Sequence, residues 1–329
     1  MKILVTGSEG SLMQSVIPKL IALGHEVIGV DNLCRYGERR TNETRYAFEQ
    51  IDLTDRLGVD YLFDKYQPDY VIQAAARIYG VGGFNKYCAD ILGEDLTLHN
   101  NVLRACVRTN VKRVVYISSS MVYETCIQDV NVPVTEDMPD HAVAPKTDYG
   151  LSKFVGERLC EAFHKQYGLE YIIWRPFNII TPYETAEGDQ GTSHVFADYI
   201  KKIIIDKADT LEIIGDGEQI RCFTWIDEIS QAIADYSFLD VKNESFNLGN
   251  VEPISMKQLA HLIHDVGVEL SILPDKELLI KSVKSYKNDV IVRIPSSTKA
   301  LLKFGWRAEK KVKDSIRICV DNAINSTNP

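Results

Sequence analysis

A doubly wound parallel α/β fold of the Rossmann type, with a smaller C-terminal α/β part, is what this sequence predicts. Three observations carry that expectation. The chain opens on a short apolar strand, Lys2 to Thr6, that runs into Gly7 and Gly10 and then into a helical pattern from Ser11 to about Leu23. A second strand, Glu26 to Val30, ends in Asp31, roughly twenty residues past the glycines. Continuous apolar runs of strand length then alternate with amphipathic stretches, the pattern of a parallel sheet covered on both faces.

Each element follows from its local chemistry. Glycines after a strand let the backbone approach a pyrophosphate, and the helix that follows offers free N–H groups and a positive dipole end. Met13 stands where a third glycine would complete a G-x-x-G-x-x-G turn, and Pro18 predicts a kink in the first helix. Asp31 is placed to accept hydrogen bonds from the ribose of NAD and to repel the 2′-phosphate of NADP, with Arg35, Arg39 and Arg40 partly offsetting that repulsion. A third strand is expected near Ala47–Ile51, and a helix from about Asp55 to Tyr66 is stopped by Gln67-Pro68-Asp69. Tyr70–Gln73 is a short strand feeding Ala74-Ala75-Ala76, and a long helix spans roughly Asp90–Thr109. Val114–Ile117 and Glu170–Trp174 complete the buried strands. Ligands of such sheets sit at the carboxyl ends of the strands.

After Pro176 the loops lengthen and gain Gly, Thr and Pro, notably from Thr181 to Ser193. Residues 1–176 are therefore expected to form the cofactor-binding domain and 177–329 mainly the substrate-binding one, with return segments near 225–248. Helices are expected around Ile254–Asp265 and Lys311–Asn322.

Bulk properties narrow the function. At 329 residues, 45% hydrophobic and 25% charged, the chain has an ordinary enzyme composition. A net charge of −9 disfavours nucleic acid and anionic membranes as partners. No run of 18 apolar residues suggests a membrane span. The seven cysteines contain no C-x-x-C pair and read as reduced core thiols of a cytoplasmic protein without a signal peptide. His261 and His264 share a helix face, but no further ligand completes a metal site, so no metal is expected.

The chemistry concentrates in two places. Tyr149 and Lys153 lie four apart, hence on one helix face. An ammonium beside a phenol, with a cationic nicotinamide nearby, lowers the phenol pKa, so the tyrosine can take a proton from a sugar hydroxyl as hydride leaves for the cofactor. Some thirty residues earlier, a strand ends in Ser118-Ser119-Ser120, where a serine can share the substrate proton.

Taken in order, Thr6-Gly7-x-x-Gly10, Asp31-Asn32-Leu33, Asp52-Leu53, Ser118 to Tyr123, Tyr149-x-x-x-Lys153, Arg175-Pro176-Phe177-Asn178 and Gly215-Asp216-Gly217-x-Gln219-x-Arg221 resemble the extended short-chain dehydrogenase/reductases of the nucleotide-sugar epimerase/dehydratase family. That resemblance implies NAD as cofactor, lined by Gly7, Gly10, Asp31, Asn32, Asp52, Leu53, Ala74 and Ala75 together with Tyr149 and Lys153. It implies Tyr149 as base, Lys153 as its partner and Ser119 as the hydroxyl-binding residue. Ser120, Asn178, Arg221, Arg293 and Gly82 would hold a UDP- or GDP-linked sugar. It further implies a homodimer through the helices around Asp90–Thr109 and Tyr149–Tyr167. Asp95 stands where relatives keep an asparagine near the cofactor.

The reaction depends on extra acid/base groups. Met121 occupies the position where family dehydratases and decarboxylases carry a carboxylate and the GDP-sugar 3,5-epimerases a cysteine; a thioether cannot move a proton. This favours 4-epimerisation through a transient C4 ketone. Val81-Gly82-Gly83 and Ser193-His194-Val195 nevertheless resemble the GDP-mannose 3,5-epimerase and GDP-fucose synthase branch. His194 is thus a candidate proton donor for a 3,5-epimerase or a 4-keto-sugar reductase, since histidine titrates near neutrality. A 4,6-dehydratase and a non-catalytic cofactor sensor rank lower.

Overall fold

The computed structural model describes residues 1–39, 46–184, 186, 193–286 and 289–327. Arg40 and most of the Thr181–Ser193 loop lie outside these residues. In the first half, β1 (Lys2–Thr6), α1 (Met13–Ala22), β2 (Glu26–Asp31), β3 (Ala47–Gln50), α2 (Arg56–Tyr66) and β4 (Tyr70–Gln73) alternate. They are followed by α3 (Val81–Lys86), α4 (Cys88–Arg108), β5 (Arg113–Ile117), the short α5 (Met138–His141), α6 (Asp148–Tyr167) and β6 (Glu170–Pro176). The second half carries β7 (Ile179–Ile180), α7 (Val195–Tyr199), a π-helical turn (Ile200–Ile205), β8 (Thr210–Ile214), β9 (Ile220–Cys222), β10 (Thr224–Trp225) and α8 (Ile226–Tyr236). Then come β11 (Glu244–Leu248), β12 (Pro253–Ser255), α9 (Met256–Glu269), β13 (Leu279–Val283), α10 (Thr298–Phe304) and α11 (Val312–Thr327).

Seven strands form one sheet in the order β3-β2-β1-β4-β5-β6-β11, with every neighbouring pair parallel. This is the doubly wound α/β arrangement, and its order reverses between β1 and β4, where such sheets open a crevice. Alternation along β1 sends Ile3 and Val5 to one face and Leu4 to the other. On the first face they meet Val16 and Ile17 of α1 and Ile229 and Ile233 of α8. On the second, Leu4 joins Phe63 of α2, Val102 of α4 and Phe163 of α6. Each of these fully buried side chains contributes about 1.5–3 kcal/mol of hydrophobic stabilisation. A separate core joins the π-helical turn, β8, α9 and α11 through Ile203, Leu211, Leu259 and Ile316.

The first helix runs through Pro18, which forfeits one backbone bond inside it. One detail differs from expectation. Cys34 and Cys88 are exposed, because one sits in the loop after β2 and the other opens α4; the remaining five cysteines are buried as expected. Among the described residues, no helix is long and apolar enough to cross a membrane.

Candidate functional site

One cleft of about 420 Å³ gathers the carboxyl ends of the central strands and the neighbouring C-terminal loops. Its floor is the turn after β1. Gly7 adopts φ +66°, and a Cβ there would lie 2.9 Å from the backbone N and Cα of Ala75. The turn closes when Gly10 N–H donates to the Gly7 carbonyl at 2.9 Å. Thr6 clamps it to the end of β4: its Oγ1 accepts from the N–H groups of Ala74 and Ala75, each at 3.0 Å. Leu12, at the start of α1, makes no side-chain cap bond, so no side chain competes with an anion for the first turn. Met13 is buried in the core and borders the cleft beside the missing third glycine.

Asp31 closes β2. It accepts from Glu9 N–H at 3.1 Å and from Leu33 N–H at 2.8 Å, which fixes the carboxylate at the rim. Burial raises its pKa, with those backbone bonds opposing. Asn32 donates to Asp52 at 3.3 Å; hydrogen bonds from Thr54 and Asn32 outweigh burial and hold the Asp52 carboxyl below its usual range. Leu53 is buried beside them. Arg35 donates to the Ile78 carbonyl and lies 3.5 Å from Glu184, while Arg39 donates to the Tyr183 carbonyl at 2.6 Å.

The second cluster hangs from α6. Thr147 caps that helix by accepting from Gly150 N–H at 3.1 Å, and buried Glu124 accepts from the Thr147 N–H and hydroxyl. This fixes the face that carries Tyr149 and Lys153, both buried. Lys153 Nζ donates to the Ile117 carbonyl at 3.0 Å and lies 5.9 Å from the centre of the Tyr149 ring. The three serines diverge. Ser118 donates to Glu157, which is paired with Arg175 at 2.6 Å, so it braces the sheet. Ser119 accepts from Met121 N–H at 3.1 Å and lies close enough to the Tyr149 phenol to hold its pKa down; Ser120 borders the cleft.

Burial pushes the Tyr149 phenol up to about 12, with Ser119 opposing, and Asp95 raises it further; the expected lowering takes a cationic nicotinamide as well as Lys153. The same burial drives Lys153 down to about 8, against the pull of Asp95 and Glu157. The desolvation cost outweighs a cation whose ammonium sits under the ring. Asp95 itself is fully buried; it accepts from Arg77 N–H at 2.8 Å and from the Ser152 hydroxyl at 2.9 Å, and burial raises it to about 6.

The third cluster is cationic. Arg293 is buried, with Nη1 2.9 Å from the Met121 sulfur and Nη2 3.5 Å from Asn178 Oδ1, and its Nε has no partner. Burial and neighbouring Arg221 push it down to about 9. Arg221 is held inside the second half by the Val290 carbonyl at 2.5 Å and by Asp289 at 3.5 Å. Both guanidinium groups border the cleft, where their N–H donors suit a diphosphate, and Asp289 and Glu124 are the carboxylates that act on Arg293.

His194 precedes α7. Its Nδ1 lies 2.7 and 2.9 Å from the two Glu184 carboxylate oxygens. Burial would raise the Glu184 pKa, but His194 and Arg35 hold it below the usual range. This fixes the half-exposed imidazole through one nitrogen at the border of the cleft. Nothing in the sequence marks Glu184, since it and His194 lie ten residues apart in a stretch without periodicity. Of the predicted residues only Gly82 does not border the cleft; Gly80 and Phe84 of the same segment do. His261 is exposed and His264 buried on α9, away from the cleft lining.

Comparison with known proteins agrees with this geometry. Residues 3–249 match the NAD dependent epimerase/dehydratase family. A protein of Methanocaldococcus jannaschii provisionally named UDP-glucose 4-epimerase is 28% identical, over 97% of each chain. GDP-mannose 3,5-epimerase 1 of Oryza sativa subsp. indica is 30% identical, over 96% of this chain and 80% of its own. The crystal structure of UDP-glucose 4-epimerase with UDP-glucose from Thermotoga maritima is 26% identical, covers 100% of both chains and superposes with a TM-score of 0.84. With a turn that has room only for glycine at the cofactor end and a Tyr–Lys–Ser cluster beside it, the chain belongs to the NAD dependent epimerase/dehydratase family of enzymes.

Proposed function

We propose that this protein is an NAD-dependent nucleotide-sugar 4-epimerase. The observation that carries the reading is the Tyr149–Ser119–Lys153 cluster with Met121 as its neighbour: one proton-transfer group for a hydroxyl, and none at position 121 for a carbon acid. NAD, when bound along Gly7, Gly10, Asp31, Asn32, Asp52, Leu53, Ala74 and Ala75, supplies the acceptor for the hydride leaving C4. Tyr149 takes the proton of the C4 hydroxyl, Ser119 hydrogen-bonds the same oxygen, and the Lys153 charge stabilises the phenolate. Arg221, Arg293 and Asn178 hold the diphosphate, and Ser120 the adjoining sugar. The ketone turns over in the cleft, and Tyr149 returns the proton to the C4 oxygen as the same hydride comes back to the opposite face of that carbon. We place the protein in the cytoplasm, where unpaired thiols stay reduced, as a homodimer through α4 and α6.

The His194–Glu184 pair favours a second reading, a GDP-sugar 3,5-epimerase or a 4-keto-sugar reductase in which His194 moves a proton at carbon or oxygen. Purified protein incubated with UDP-glucose separates the two. Conversion to UDP-galactose without added cofactor supports 4-epimerisation. Stoichiometric consumption of NAD(P)H with a keto-sugar, or deuterium uptake into GDP-mannose from heavy water, supports the second and overturns the first.

A further inference from the structure

The Tyr149 ring is covered by a residue that the proposed reaction does not use. Phe84, on α3, stacks on it with ring centres 4.8 Å apart and planes 11° from parallel, and both side chains are 7% exposed. The contact is delivered by a packed segment. A Cβ on Gly83 would lie 2.3 Å from Tyr79 Cβ, so α3 sits flush on Tyr79. Tyr79 in turn stacks on Tyr87, with centres 4.7 Å apart, and Arg35 ties the preceding turn by donating to the Ile78 carbonyl. Phe84, Tyr149, Ile91, Tyr79, Tyr87 and Met121 make one apolar cluster, separate from the cores of the sheet. Nothing in the stability of the sheet calls for a phenyl ring on this tyrosine.

We propose that Phe84 is a positioning residue for Tyr149: it fixes the plane of the phenol and shuts water off that face, so that the hydroxyl is presented only to Ser119 and the sugar. The inference rests on Tyr149 being the base. Stacking fixes ring orientation because offset rings lose contact on rotation. Covering the face desolvates the phenol and disfavours its charged form. The other groups acting on the phenol come from elements all around it: Ser119 after β5, Asp95 on α4, Lys153 on α6, Arg35 after β2 and Arg293 in the second half. They sit on elements other than α3, so a change in α3 removes the cover on the ring while leaving those side chains in the protein.

The test is the pH profile of the holoenzyme with UDP-glucose, or with GDP-mannose if that is the sugar turned over. Phe84→Ala removes the ring, Gly83→Ala displaces α3 from Tyr79 without touching Tyr149, and Phe84→Tyr restores a stacked ring. A base must be deprotonated to act, so activity rises with pH through the Tyr149 titration. Letting water onto the ring lowers that pKa. The rising limb should move about one unit toward acid in Phe84→Ala and Gly83→Ala, kcat should fall about tenfold from lost orientation with KM nearly unchanged, and Phe84→Tyr should resemble wild type. Thermal unfolding and cofactor content check that each variant is folded. Limbs that coincide with wild type in both alanine variants overturn the proposal, as does a loss confined to KM. Tyr149→Phe in the same assay keeps the outcomes apart. If it is inactive while the Phe84 limbs do not move, only the Phe84 role fails; if it turns over normally, the base assignment falls and takes the Phe84 role with it.

Discussion

Replacing Gly7 with alanine should weaken NAD binding by about 10- to 100-fold, and the structure contains its own control. Gly7 and Gly24 both adopt left-handed φ, +66° and +79°. An alanine in that region costs about 1–2 kcal/mol at either site. The surroundings differ. A Cβ at Gly24 meets nothing within 4 Å, whereas at Gly7 it would sit 2.9 Å from the Ala75 backbone. The turn must then separate from the end of β4, which stretches the Thr6 hydrogen bonds to Ala74 and Ala75 and costs about 1 kcal/mol more. That strain sits at the floor of the cofactor cleft, and each 1.4 kcal/mol felt there is tenfold in affinity. Calorimetric titration of NAD into cofactor-stripped protein, beside thermal unfolding of both variants, reads the difference. Gly24→Ala should lose stability with NAD affinity intact. Gly7→Ala binding NAD within about twofold of wild type, or Gly24→Ala weakening it equally, would refute the reasoning.

Asp31→Ser should narrow the preference for NAD over NADP by about tenfold in paired titrations, since it removes the carboxylate that repels a 2′-phosphate. Lys153→Met should abolish turnover yet raise thermal stability at neutral pH, by at most about 3 kcal/mol. Burial lowers Lys153 to about 8 from 10.5. The folded wild type therefore binds fewer protons than the unfolded chain between those values and gains stability as pH rises through them, so the advantage of the variant should shrink over that window. An unchanged or lower melting temperature at pH 7 contradicts this. Arg293→Met should reduce nucleotide-sugar affinity by about 100-fold while NAD affinity holds, because it removes a charge-assisted donor from the Arg221 end of the cleft only.

Much of this was legible in the chain because it is local. The strand–glycine–helix opening, Asp31 at a strand end and the four-residue spacing of Tyr149 and Lys153 are periodic or sequential signals, and the sheet and cleft form where they indicate. What stayed hidden is what forms between distant segments. Ser118, Ser119 and Ser120 are equivalent in sequence, but only the fold sends one to Glu157 and another to Tyr149. Glu184 gains meaning only when it meets His194, and Phe84 only when α3 lands on the Tyr149 ring. Burial of the Tyr149 phenol was hidden for the same reason: a lysine four residues away is visible in sequence, whereas the packing around the ring is not.

The whole scheme turns on the oxygen that Tyr149 carries, and one comparison tests it most directly: turnover and calorimetric binding of UDP-glucose by wild type and Tyr149→Phe. The account predicts that the variant binds the nucleotide sugar as wild type does while UDP-galactose formation falls by a factor of about 100 or more. Undiminished formation of UDP-galactose by the phenylalanine variant would contradict it.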